Sequence, residues 1–544
     1  MGQPLSTLGA TSYTHETPLG SFKGLVIRDD KDLPLCYRFA HVKYAQSTAG
    51  ENRWKKPLPL AEDYDYSKES YESFDQPCPS PLVANPNIEY LNYRAETSED
   101  CLYVNIWCPL SAIDTTEKLP VLFYIHGGWL QYGTPSQGSV YDPRDLLSTP
   151  DLPDKYIIVS PAYRLNAFGF LSGEELGSDC SNFGMWDQRA ALEWTWKNIS
   201  NFGGDPEKIT VAGLSAGSYS TFFQLAYEMY HPEAPQIIKQ VCHFSNALSV
   251  QPKTIKETQK QFDEFCAILN IDKSLSPDEK LNALRKIDHK TITSKITEMK
   301  LHTFRAITDD SFVSSSLLKD IQTGVYAKKL TDRGIKMIIG QVSNEPPLYG
   351  ALNTPSSKED LRIQLENYYP ESTLNDLLEI YYPKDLSEDD ADFQERLTDV
   401  FGLICADTQV TASTRGYLNN LLKGGFPESS IFRYYVDFCA KKLKPILIEH
   451  KCPIGVPHGF DQGLWFYSKT AYGVLDDEEA EKVIKFIKPY TEFISMKEIK
   501  SEWGTQSIKD MRTFNSDGSV SINNDGYWDE ACKIADRIYA AQLH

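Results

Sequence analysis

The chain of 544 residues has no uninterrupted apolar run of the ~20 residues that a membrane-spanning helix needs. A basic stripe is missing too. Asp and Glu (75) outnumber Lys and Arg (55), giving a formal charge of −20, which argues against nucleic acid and anionic membranes as partners. Cysteine is sparse and odd in number, 11 scattered residues, a usage that suits a reducing compartment better than a disulfide framework. The first residues, Met1-Gly-Gln-Pro-Leu-Ser-Thr7, lack the charged and apolar regions of a secretory leader. A cytoplasmic protein is therefore expected, with only a loose myristoylation pattern at Gly2. Repeats, low-complexity tracts and Pro/Ser-rich linkers are absent as well, so one domain over residues 1–544 is expected rather than several.

What is present is an alternation of short apolar runs with helical patterns. Phe22 to Arg28, Leu35 to Phe39 and Pro57-Leu58-Pro59 read as early strands separated by turns, and 62–100 as a long surface excursion. Leu102 to Cys108, Leu119 to Ile125 and Tyr156 to Ser160 are rich in β-branched and aromatic residues and read as strands. Asn182 to Asn198 reads as an amphipathic helix, and Ile335 to Val342 and Ile431 to Phe438 as later strands. A last helix is expected from Trp528 to Leu543. This order predicts the α/β class: a central, mostly parallel sheet flanked by helices. Residues 251–330 and 356–422 carry helical patterns without a clear strand and are expected to be large helical insertions within the one domain.

One stretch carries chemistry. Phe202 to Tyr219 reads FGGDPEKITVAGLSAGSY: a strand at Ile209 to Ala212, then Gly213-Leu-Ser215-Ala-Gly217, then a helix from Ser218 to Tyr230. Strand, Gly-x-Ser-x-Gly, helix is what a nucleophile elbow requires, because the turn that lifts the serine is too tight for a side chain two positions away. The pentapeptide is only moderately specific alone, and serine is a poor nucleophile until an imidazole, itself oriented by a carboxylate, takes its proton.

In hydrolases with this elbow the chain order is serine, acid, histidine. The clearest later strand is 335–342, and Glu345 follows it in Ser343-Asn-Glu-Pro346. A base after that acid is His450, His458 or His544. His544 is the last residue, and His450 lies in LIEHK, on the polar side of a helix end. His458 sits in Gly455-Val-Pro-His-Gly-Phe-Asp461, a loop shaped by proline and glycine. Order and placement at strand ends favour a Ser215, Glu345, His458 triad. Backbone donors for an oxyanion are expected from Ala216 and from the turn His126-Gly-Gly-Trp129, directly after strand 119–125. His126 has no ligand-type residue at metal spacing around it, so no metal or other cofactor is expected.

Four blocks make the chain resemble the type-B carboxylesterase/cholinesterase family of α/β-hydrolases: Ser98-Glu-Asp-Cys-Leu-Tyr-Val-Asn-Ile106, His126-Gly-Gly, Asn182 to Gly204 with Trp186-Asp-Gln-Arg189, and Phe202-Gly-Gly-Asp-Pro running into Gly-Leu-Ser215-Ala-Gly. The resemblance runs from about residue 20 to the end. It implies the α/β-hydrolase fold, a serine carboxylic-ester hydrolase acting through an acyl-enzyme on Ser215, and a small-molecule ester as partner. It implies that Gly128, Trp129 and Ala216 form the oxyanion hole and that Ser245 supports the acid. It further implies an Arg164–Asp187 ion pair and a Cys78–Cys101 disulfide, and Trp129, Leu214, Tyr349 and Trp465 are taken as pocket residues. Acyl transfer, or cleavage of an amide or carbamate, would use the same triad. The neuroligin-like binding branch of the family is disfavoured because it lacks the triad.

Two departures bear on substrate. Relatives have a third glycine where this chain has Trp129, so the pocket is expected to be crowded against bulky branched esters. No tryptophan lies between Cys78 and Cys101, which speaks against choline esters, and Pro79 to Asp100 is polar with scattered Leu82, Val83, Ile88 and Leu91 in place of a long apolar lid. A small or medium soluble ester is the expected substrate.

Overall fold

A computed structural model describes residues 9–81, 96–113, 115–136, 141–449, 454–470 and 474–542. Gly2, His450, His544 and the apolar residues Leu82, Val83, Ile88 and Leu91 lie outside the described residues. Twelve described strands form a single sheet: β1 (Ala10–Thr17), β2 (Gly20–Arg28), β3 (Pro34–Lys43), β4 (Tyr103–Pro109), β5 (Leu119–Ile125), β6 (Ile157–Pro161), β7 (Gly204–Leu214), β8 (Ile238–Phe244), β9 (Lys336–Val342), β10 (Ile431–Val436), β11 (Asp510–Phe514) and β12 (Val520–Asn524). Their spatial order is β1-β2-β3-β4-β6-β5-β7-β8-β9-β10-β11-β12. The run from β6 to β11 is parallel throughout. Antiparallel pairing is confined to β1–β4 with β6 on one side and to the β11–β12 hairpin on the other.

The central strands read as continuous apolar runs because both faces are covered. On β5 the alternation divides the residues between two cores: Val121, Phe123 and Ile125 enter one, Leu122 and Tyr124 the other. Edge strands carry little apolar signal. β1 (ATSYTHET) and β12 (VSINN) bury almost nothing, which is why neither is anticipated from pattern. Pro57-Leu58-Pro59 is loop, not strand, since prolines cannot donate to a ladder. β7 starts at Gly204, where Gly204 pairs with Leu119 before a register shift, earlier than its β-branched stretch suggests. The last helix is shorter than expected, ending at Ala540.

Residues 251–330 and 356–422 hold helices and no named strand among the described residues. Phe183–Asn198 is less amphipathic than its sequence suggests, because Asp187, Gln188 and Arg189 are buried along with its apolar residues. Their charges are paired. Arg164 Nε and Nη2 each donate to Asp187 at 2.7 Å, and the Arg164 amide donates to the same carboxylate at 3.0 Å. Arg189 and Arg333 converge on Glu228 at 2.9 and 2.8 Å. Cys78 and Cys101 are disulfide-bonded, with Cα atoms 5.1 Å apart, whereas Cys36, Cys108, Cys180, Cys242, Cys266, Cys405 and Cys532 are thiols.

The Arg164–Asp187 pair ties the segment after β6 to the helix beneath the sheet, both side chains at 2% exposure or less. Breaking such a pair from one side leaves a buried charge and costs about 3–5 kcal/mol. Asp187→Ala is therefore expected to lower the thermal midpoint by several degrees. The volume-matched double variant Arg164→Met/Asp187→Leu should recover most of that loss in the same thermal scan.

Candidate active site

Ser215 stands between β7 and the helix Ala216–Tyr230 with φ 58° and ψ −123°, a conformation seldom taken by a residue with a side chain. The flanking glycines make this turn possible. A Cβ on Gly217 would lie 2.0 Å from the Ile125 carbonyl oxygen, and one on Gly213 would lie 2.3 Å from the Gly217 carbonyl carbon. The Ser215 amide donates to the Phe244 carbonyl at 2.8 Å, docking the turn on the end of β8. Its side chain is half-buried, and the hydroxyl has no protein partner among the described residues.

Glu345, three residues past β9, meets His458, which lies in the long connection that follows β10. His458 Nδ1 donates to Glu345 Oε2 at 2.5 Å, with both side chains at 2% exposure or less. The other carboxylate oxygen accepts from the Val342 amide at 3.0 Å and the Ser245 hydroxyl at 2.9 Å. Ser245 caps β8, so three adjacent parallel strands contribute to holding one carboxylate. With Nδ1 committed, His458 Nε2 is buried without a hydrogen-bond partner.

The turn after β5 closes the site. Gly127 approaches so near to Ser215 that an added Cβ would lie 3.3 Å from the serine Cβ. Gly128, Trp129 and Leu130 all have positive φ (113°, 56° and 66°), which directs successive amides to one side of the chain. The amides of Gly128, Trp129 and Ala216 donate to no protein acceptor among the described residues. His126 braces the turn: its ring stacks on Tyr163 at 4.4 Å, and the Tyr163 hydroxyl donates to the His126 carbonyl at 2.9 Å.

Of the side chains taken as pocket residues, Trp129 and Tyr349 meet edge to face at 5.8 Å, and the Tyr349 ring lies 5.0 Å from His458. Leu214 is buried and lies 3.6 Å from the position of a Cβ on Gly459, beside His458. Trp465 is placed differently, in the interior against Phe244, Tyr434, Phe486 and Tyr490. Its indole donates to Asp461 at 2.8 Å. Asp461 lies in the same loop as His458, and nothing in its spacing marks it. It is fully buried, with Oδ1 unpartnered. No three His, Cys, Asp or Glu residues gather in metal-binding geometry among the described residues.

Four buried groups give the protein opposing pH responses. Burial lowers His126 and His243 to about 4, against opposing hydrogen bonds with Gly127 and Ser218. Burial raises Asp461 to about 6, assisted by the Glu345 carboxylate and opposed by the Trp465 hydrogen bond, and raises Asp407 to about 6 despite its bond from Tyr381. The histidines bind more protons when unfolded, so their contribution is present above about pH 6.5 and is lost as pH falls toward 4. The aspartates bind more protons when folded, so theirs is present below about pH 4 and is lost as pH rises through about 6. Across that window the two pairs offset each other. Asp461→Asn removes one offsetting member. It is expected to raise stability above pH 7 by up to about 3 kcal/mol and to make the acid decline between pH 6 and 4 steeper, as read by thermal midpoints from pH 4 to 8.

Comparison with known proteins agrees with this architecture. The family model described as "Carboxylesterase family" matches residues 11–533. An uncharacterized esterase/lipase of Schizosaccharomyces pombe (strain 972 / ATCC 24843) is 43% identical over 97% of both chains. A carboxylic ester hydrolase of Gibberella moniliformis (strain M3125 / FGSC 7600) is 35% identical over 95% of this chain and 94% of its own. The crystal structure of Aspergillus niger EstA superposes with a TM-score of 0.74 at 20% identity, covering 98% of this chain and 99% of that one, which speaks to the fold alone. The chain, with its α/β-hydrolase fold, belongs to the carboxylesterase family and is an ester hydrolase of that family.

Proposed function

We propose that Ser215 is the nucleophile of a two-step ester hydrolysis. His458 Nε2 takes the Ser215 proton as the hydroxyl oxygen adds to the ester carbonyl, and Glu345 holds the imidazole through Nδ1 and balances its transient positive charge. The carbonyl oxygen becomes an oxyanion received by the amides of Gly128, Trp129 and Ala216, which act without reorganising because they have no competing acceptor. His458 then returns the proton to the departing alcohol, leaving an acyl-Ser215 ester. Water, deprotonated by the same nitrogen, releases the acid. The observation that carries this reading is the His458–Glu345 bond at 2.5 Å with Nε2 left buried and unpartnered, at the sheet edge that presents Ser215.

Substrate size follows from the turn. Trp129 packs against Tyr349, which itself faces His458. A small or medium soluble ester fits that wall better than a bulky branched one. Water as the acyl acceptor is favoured over another alcohol or amine by the relatives' names, which include a carboxylic ester hydrolase and a para-nitrobenzyl esterase of Bacillus subtilis (strain 168), 31% identical over 66% of this chain and 67% of its own.

Three variants separate the roles in assays on p-nitrophenyl esters of increasing acyl length. Ser215→Ala should lose at least roughly 10⁴-fold in kcat and all fluorophosphonate labelling. Glu345→Gln should lose on the order of 10³–10⁴-fold in kcat with little change in KM. Ser245→Ala, which removes one of three donors to the acid, should lose about tenfold. Labelling that persists in Ser215→Ala, or wild-type protein that neither labels nor turns over any ester, would falsify the assignment.

A further inference from the structure

Beside the Ser215 helix lies a second polar cavity that the two-step hydrolysis does not use. It encloses about 40 Å³, room for one or two waters or for the head of a carboxylate. Tyr219, four residues past Ser215 on the same helix, forms one wall, and Tyr368 forms another. Arg305 lies between them, its guanidinium carbon 5.0 Å from the Tyr219 ring centre and 5.4 Å from that of Tyr368. Tyr368 packs in the same apolar cluster as Trp129 and Tyr349. The cavity therefore borders the serine's helix through Tyr219 and the cluster of Trp129 through Tyr368.

Its charge is one-sided. Arg305 has no carboxylate within ion-pair distance among the described residues, in a chain with 75 acidic side chains available. Lys253, on the cavity wall, is lowered to about 8 by burial against the pull of Glu366 and Glu257, and donates to the Glu366 backbone carbonyl. The Asn246 side-chain amide, 2% exposed and also on the wall, has no protein partner among the described residues. Such an amide presents either donors or an acceptor to whatever enters. The Arg305 charge is felt at Tyr219 and, across the site, at Tyr349, the tyrosine that faces His458. From helix rise and this ring distance, the guanidinium lies on the order of 10 Å from the serine.

We propose that this cavity is a carboxylate subsite, and that the enzyme's preferred substrates are esters carrying a carboxylate several bonds from the scissile carbonyl. The proposal rests on Ser215 being the nucleophile. A planar guanidinium stacked on two rings is already oriented, so a bidentate carboxylate bond costs little side-chain ordering. Long-range steering contributes nothing for an anion approaching a chain of charge −20. Selection is instead a short-range contact, made after entry.

The test compares mono-p-nitrophenyl glutarate, adipate and suberate with p-nitrophenyl pentanoate, hexanoate and octanoate, with 6-(butyryloxy)hexanoate and hexyl butyrate for a carboxylate on the alcohol arm. Wild-type enzyme should favour the charged member of at least one pair in kcat/KM. In Arg305→Gln that charged-to-neutral ratio should fall by about 10- to 100-fold, and Arg305→Lys should restore part of it. Fluorophosphonate labelling and the thermal midpoint report whether each variant is folded. A wild-type enzyme that hydrolyses the neutral esters without preferring any charged partner overturns the subsite and leaves the Ser215 reading intact. A charged-to-neutral ratio unchanged in Arg305→Gln does the same. Failure on every ester, neutral ones included, removes the Ser215 reading and the subsite with it.

Discussion

Two chain reversals, after β5 and after β7, press together with no room for one extra carbon between them. Gly213, Gly217 and Gly127 meet backbone atoms within 2.0 to 2.7 Å of where a Cβ would stand. This contact fixes Ser215 relative to the amides of 128 and 129, because neither turn can shift without colliding with the other. Positive φ at Trp129, Leu130, Ser215 and Ser245 concentrates backbone strain at this one edge. Such strain persists only where surrounding structure over-determines it, and here it is met by two apolar cores, one on each face of the sheet.

Low dielectric makes the polar half of the site exacting. Glu345 accepts from Val342, Ser245 and His458, and each donor comes from a different position along three neighbouring strands or the loops that follow them. A carboxylate so held has little freedom to rotate, and its partner imidazole inherits that fixity. Asp461 shows what happens without such provision: one oxygen is held by Trp465, the other by nothing, and burial favours its protonated form. One carboxylate thus has three donors and the other has one.

Much of this was legible in the sequence, for identifiable reasons. The parallel strands β5 to β10 announce themselves because burial on both faces demands unbroken apolar runs, and the Ser215 turn because only glycine fits beside it. The edge strands were not legible, since a half-solvated ladder needs no apolar pattern. Ser215, Glu345 and His458 were ordered by chain position, and the fold brings Glu345 into hydrogen-bond contact with His458. Trp465 shows the limit of that reasoning. A tryptophan near the His458 loop looks like a pocket wall, but the second core lies directly beneath that loop and claims the ring. Arg305 was invisible for a related reason: its significance lies in the carboxylate it does not meet, and pairing across the fold cannot be read from spacing.

Trp129 links the strained turn to the question of substrate. As a third glycine it would leave the turn open; as tryptophan at φ 56° it places a large ring against Tyr349 and shares a cluster with Tyr368. The same residue therefore offers an amide to the proposed oxyanion and a side chain to the cluster that holds both Tyr349, which faces His458, and Tyr368, which lines the Arg305 cavity. Narrowing one part of a site usually costs affinity for large ligands, since apolar contact area is lost. A charged contact beyond the constriction offsets that loss for slender ligands alone, because only they can pass the ring and still reach the guanidinium. Shape and charge would then select the same molecule: thin enough for Trp129 and long enough to place a carboxylate at Arg305.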